Sequence, residues 1–139
     1  MLYDLKGGAN MAPMVGTLYS AVKENIQRLQ SITNGMLQEE MDYKGPDNKF
    51  NSTAQLIRHL MYVDLNWVYR IKGLPLPQSL QKQYGPMIQL TDADLEKTVT
   101  FGHENEKQAT IRWGIWHMAD HNRYHQAHIN LLRKWYKEK

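Results

Sequence analysis

The chain has 139 residues, a hydrophobic fraction of 42%, a formal charge of +3 and no cysteine. That length suits one domain, expected to span residues 1–139, with a hydrophobic core that needs no covalent staples. The missing cysteines exclude disulfides, thiolate ligands and a thiol nucleophile, so any metal must be held by His, Asp or Glu.

The opening stretch "MLYDLKGGANMAPMVG" carries charges at Asp4 and Lys6 where a secretory signal needs an apolar run. No window approaches the roughly 18 uninterrupted apolar residues of a spanning helix. A cytoplasmic protein without a membrane partner is therefore expected. The first helix is read in "PMVGTLYSAVKENIQRLQSITNG", whose residues Val15, Leu18, Tyr19, Val22, Ile26 and Leu29 keep the 3-4 spacing of one face. Pro13 suits its first turn and Asn34-Gly35 its stop. "QEEMDYKGPDNKF" reads as a polar linker broken at Gly45-Pro46.

Ser52 followed three residues later by Gln55 is the capping-box pattern, and it opens a second helix running to Lys72, where Gly73 and Pro75 end it. The stripe of that helix is Leu56, Leu60, Val63, Trp67 and Ile71, with His59 beside it. "GLPLPQSLQKQYGPM" is punctuated by prolines and reads as loop with one short helical turn. "LTDADLEKTV" reads as a brief helix capped by Thr91, and "TVTFGHENEKQATI" as an extended pair around a turn, with His103 solvated in that turn. The last helix, about Ile111 to Lys137, is the longest. Its basic end "LLRKWYKEK" reads as a solvated terminus complementing the helix dipole. The pI near 9.1 is mild, and with no zinc-finger, RNP or Walker signature, nucleic acid is not an expected partner. The fold class is all-α.

Four of the six histidines, His117, His121, His125 and His128, fall on that last helix at intervals of four, four and three residues. At about 100° per residue they span less than a quarter of the circumference. Leu132 and Trp135 continue the same stripe, so the histidines are expected to face the core. Unpaired buried imidazoles each cost about 1–3 kcal/mol, and a metal ion resolves this by giving neutral nitrogens one common partner. His121 and His125, four apart, project from consecutive turns and can reach one ion. His59 is the candidate third ligand, because it lies on the stripe of the other well-marked helix. Three histidines leave a coordination position open, as in catalytic rather than closed structural sites. His117 and His128 are read as pocket walls or as groups behind the ligands. Trp113, Trp116, Tyr124, Trp135 and Trp67 read as core aromatics first and pocket lining second. No general base is evident: Asp120 points about 100° from His121 and Asp64 about 140° from His59.

The segments "STAQLIRHLMYVDLNWVYRIKGLPLP", "LTDADLEKTVTFG" and "IWHMADHNRYHQAHINLL" together resemble the DinB-like helical-bundle family, which overlaps with the bacterial low-molecular-weight thiol transferases. The resemblance implies an up-and-down bundle and a divalent metal, zinc or nickel, on one histidine of the second helix and two of the last. Those positions are His59, His121 and His125 here. It also implies activation of a small thiol, such as bacillithiol, mycothiol or glutathione, for transfer to a small electrophile. Where relatives often have "HRGQI", this chain has "HQAHI", which puts Gln126 and His128 at altered positions. With Tyr124 and Trp67, His117 and His128 make up the expected pocket. The family's third bundle helix is expected to be shortened or missing, since only "QSLQKQYGPMIQ" fills its place. A bundle lacking one wall exposes an apolar groove, for which a homodimer is the expected remedy. The competing expectation is a helical dimerisation module with a structural metal or none.

Overall fold

The computed structural model describes residues 2–74 and 90–139. The loop reading after Gly73 and the shortened third helix fall mainly on residues 75–89 and lie outside the described residues. Four α-helices occur among the described residues: α1 (Pro13–Thr33), α2 (Gln38–Asp42), α3 (Thr53–Lys72) and α4 (Ile111–Lys137). Between α3 and α4 lie a 3-10 turn at Asp92–Glu96 and an antiparallel hairpin of β1 (Thr98–Phe101) and β2 (Lys107–Thr110), pairing Thr98 with Thr110.

The helix boundaries follow local chemistry. Ser52 accepts from the Gln55 backbone N–H, and the Gln55 side chain accepts from the Ser52 N–H, so two of the free donors at the start of α3 are satisfied. Gly73 ends the helix in the left-handed conformation at φ 69°. Thr91 and Asp94 make the same reciprocal box at the 3-10 turn. Helix α1 has no cap of its own at Ala12. The Asp92 carboxylate, 77 residues away, accepts from the Val15 N–H at 3.0 Å and also from that of Met14. The stretch read as a plain polar linker contains α2, which is only five residues long.

Both α1 and α3 pack against α4. Val15 clusters with Ile111 and Ile115, while Leu29 and Ile32 cluster with Ile129 and Leu132, so α1 runs parallel to α4. Leu56 meets the Ile129–Leu132 end and Trp67 the Ile111–Ile115 end, so α3 runs antiparallel. Each fully buried aliphatic side chain contributes about 1.5–3 kcal/mol through lost water contact. A buried layer of amides separates the two clusters: Asn25 donates to the Ala119 carbonyl at 3.1 Å, and Gln126 donates to the Asn25 carbonyl at 2.8 Å and to Asn122 Oδ1.

This arrangement corrects one expectation. The core face of α4 is carried by Ile115, Met118, Asn122, Gln126 and Ile129. The histidine stripe is turned about 100° from it, so His117, His121 and His125 are half-buried and His128 is exposed. His59 is likewise exposed at the edge of α3 rather than on its core face. The histidines sit beside the core, partly exposed, where α3 meets α4. The reason is that the core face of α4 itself contains two amides, which read as a polar face in the sequence.

Candidate metal centre

Antiparallel packing brings the midpoint of α3 beside the middle of α4, and the histidines meet there. His59 Nε2 lies 3.2 Å from His121 Nε2, and His125 Nε2 lies 3.1 Å from the same atom. One ligand atom from each of His59, His121 and His125 falls within 4.8 Å of the others, a group that can hold a metal ion. The rings meet edge to face, with His121 and His125 at 4.6 Å and 85° and His59 and His125 at 4.9 Å and 80°.

The donor set fits a divalent ion. Two nitrogens each about 2.0–2.1 Å from one ion and about 100° apart are separated by about 3.2 Å, which matches the two spacings that centre on His121. Burial, reinforced by the neighbouring histidines, pushes His121 and His125 down from 6.5 to about 4. Both rings are therefore neutral at pH 7, the form that offers a lone pair. Ligation through Nε2 would require the proton on Nδ1, and the buried Nδ1 atoms of His121 and His125 have no hydrogen-bond partner among the described residues. Ring packing, rather than the usual carboxylate or carbonyl, sets their orientation.

His117 lies one turn before His121. It stacks flat on Trp113 at 4.7 Å and 7°, and its ring centroid is 5.5 Å from that of His121. Desolvation lowers its pKa, partly offset by Asp120. Tyr124 is exposed and sets its ring edge against both His125 (5.1 Å) and His128 (4.9 Å). Trp67 is buried in the core and, among the described residues, meets the site through His117 and Trp113. Gly114 makes this possible, because a Cβ there would stand 2.7 Å from the Trp67 ring. His103 is exposed at the hairpin tip, away from the cluster.

Two features were not read from the sequence. Asp64 is buried, its Oδ1 has no partner, and desolvation raises its pKa to about 7. Asp92 acts as a cap across the fold. Neither has a sequence signal, since each depends on packing between distant elements.

The sequence profile of the DinB superfamily matches residues 21–129, which include all three histidines. A Bacillus subtilis (strain 168) protein, YkkA, described as uncharacterized, is 41% identical over 169 aligned positions, covering 97% of this chain and 95% of the relative. That alignment is longer than the 139 residues of this chain, so the relative carries residues that this chain lacks. A helical architecture, a three-histidine group where α3 meets α4 and a profile match over most of its length agree: this chain belongs to the DinB superfamily.

Proposed function

We propose that the chain is a single-domain, divalent-metal-dependent enzyme in which His59, His121 and His125 hold zinc or nickel. The observation that carries this reading is the convergence of three Nε2 atoms from two helices at a partly exposed seam between them. Bound there, a divalent ion lowers the pKa of a thiol or water and supplies a nucleophile at neutral pH. Without a cysteine of its own, the chain must draw any thiol from a substrate. We therefore assign it a low-molecular-weight thiol or water, transferred to a small electrophile.

The protein's own residues shape the approach. The exposed edge of His59 leaves that side of the group accessible to a substrate. His117, held flat by Trp113, walls one end, and Tyr124 and His128 border the other. Tyr124 brings a hydroxyl to that border, with its ring 5.1 Å from that of His125. Asp120 is exposed on the outer face of α4 and is not assigned the role of base.

The test is metal content by mass spectrometry, on protein prepared without a nickel column, beside His59→Ala and His121→Ala/His125→Ala variants. About one equivalent of zinc or nickel in the parent, lost in both variants, together with metal-dependent transfer of bacillithiol or glutathione to chlorodinitrobenzene, supports the reading. Parent protein that neither carries nor takes up metal ends it.

A second reading is favoured by a specific surface. Met61 and Tyr62 on α3 are each about half exposed, and with Ile57 and Leu65 they edge an apolar groove of about 680 Å³ beside Met41. No described helix is long and apolar enough to cross a membrane, and we place the protein in the cytoplasm as a homodimer that covers this strip. Met61→Glu is then expected to give a monomer by light scattering. If metal is absent but the dimer persists, the chain is a dimerisation module.

A further inference from the structure

A second cavity, of about 350 Å³, opens one side chain beyond the three-histidine group, between the loop that precedes α3 and the C-terminal third of α4. Its volume falls within the range of small-molecule sites. Leu56 and Leu132, both almost fully buried, form its apolar floor. Phe50 and Trp135 wall it with ring centroids 4.9 Å apart and tilted by 41°. His128 stands on its rim with its ring 5.6 Å from that of His125, and Leu56 lies one helical turn before His59.

The loop is shaped to make this space. Gly45 has φ 77°, and a Cβ there would stand 2.7 Å from the Phe50 ring and 3.3 Å from Trp135. Asp47 and Asn48 follow in the left-handed region at φ 60° and 54°, a conformation that short polar side chains tolerate better than others. The Phe50 N–H closes the loop on the Lys44 carbonyl at 2.9 Å. The polar groups that line the cavity are Lys49, Asn51 and His128, and no carboxylate is among its described lining residues. Asp47 lies 3.7 Å from Lys49 Nζ, but both side chains are about three-quarters exposed. Such a pair is worth little in water, so an anionic ligand can take its place.

We infer that this cavity takes the non-reacting part of the substrate, an apolar body, aromatic or short aliphatic, that ends in a carboxylate. Apolar contact with Leu56, Leu132, Phe50 and Trp135 supplies affinity, while Lys49 and Asn51 select the anionic end. Binding in the cavity stands on these residues alone. Only the statement that the ligand's reactive end faces the histidines rests on the function proposed above.

The probe is octanoate, with 1-octanol as its uncharged counterpart, titrated into the full chain and followed by saturation-transfer NMR and tryptophan fluorescence. Leu131 lies on the rim and is partly exposed, so Leu131→Trp fills the cavity without cutting into the core. Saturable octanoate binding that Leu131→Trp weakens at least about tenfold supports the proposal. So does Lys49→Gln weakening octanoate by roughly two- to fivefold while leaving octanol unchanged. The proposal is overturned if no saturable binding is seen, or if folded Leu131→Trp binds like the parent. It is also overturned if octanol binds as well as octanoate and Lys49→Gln changes neither. In His121→Ala/His125→Ala, octanoate binding is expected to survive. Metal lost with octanoate retained separates the two sites, and a parent that holds metal but binds no octanoate refutes the cavity alone.

Discussion

His59 and His121 are 62 positions apart in sequence, and their Nε2 atoms stand 3.2 Å apart. Among the described residues, neither is fixed by a hydrogen bond to a carboxylate or carbonyl. Their positions follow from how α3 lies against α4.

If the proposed site binds metal in the native state only, zinc must stabilise the fold by mass action. At a free concentration of about 100 Kd the gain is about 2.7 kcal/mol. Thermal unfolding of metal-free protein is expected to move up on zinc addition, with no shift in His121→Ala/His125→Ala. An equal shift in that variant would place the zinc elsewhere.

Gly114→Ala should be destabilising although alanine is the better helix former. The added Cβ would meet the Trp67 ring at 2.7 Å, and Trp67 is fixed among Val68, Phe101 and Trp113. Overpacking of this kind costs about 1–3 kcal/mol. Urea unfolding of the variant gives the number, and a more stable variant would mean that Trp67 yields freely.

Asp64 makes stability depend on pH. Burial raises its carboxyl from 3.8 to about 7, so between those values the native state holds a proton that the unfolded chain releases. Native stability therefore falls as pH rises through this window and levels off above it. Asp64→Asn removes that loss. Its advantage over the parent is expected to be near zero around pH 4 and roughly 2–4 kcal/mol at pH 8. A difference that does not change with pH in urea titrations would contradict this assignment.

Asp92→Ala strips the start of α1 of its distant cap. A loss of about 0.5–2 kcal/mol is expected, with faster amide exchange at Met14 and Val15. Unchanged exchange at those two positions would show that water replaces the carboxylate without cost.

The elements were legible where the signal was local. The Ser52–Gln55 and Thr91 caps, Pro13 at the head of α1 and the left-handed Gly73 each act within a few residues. The four-residue step from His121 to His125 is local as well. The phase of the α4 core was not legible, because Asn122 and Gln126 occupy buried positions that hydrophobic periodicity assigns to solvent. The histidine stripe, bounded by Leu132 and Trp135, then took the place of the core. Helix α2 is too short to show a period. Asp64 reads as surface in any single-sequence pattern, and only the packing around α3 shows that it is buried.

The amide layer of Asn25, Asn122 and Gln126 bears on the histidines from the adjoining core face of α4. Hydrophobic side chains tolerate a helix sliding by a fraction of a turn, whereas directional bonds from Gln126 to the Asn25 carbonyl and from Asn25 to the Ala119 carbonyl do not. These bonds act as an axial stop that sets the height of His121 and His125 along the seam. Because these bonds involve none of the histidines, the stop holds whether or not an ion is present. Ions of different preferred geometry therefore meet the same preset spacing, and discrimination among them falls to the third ligand, the exposed His59 ring on α3.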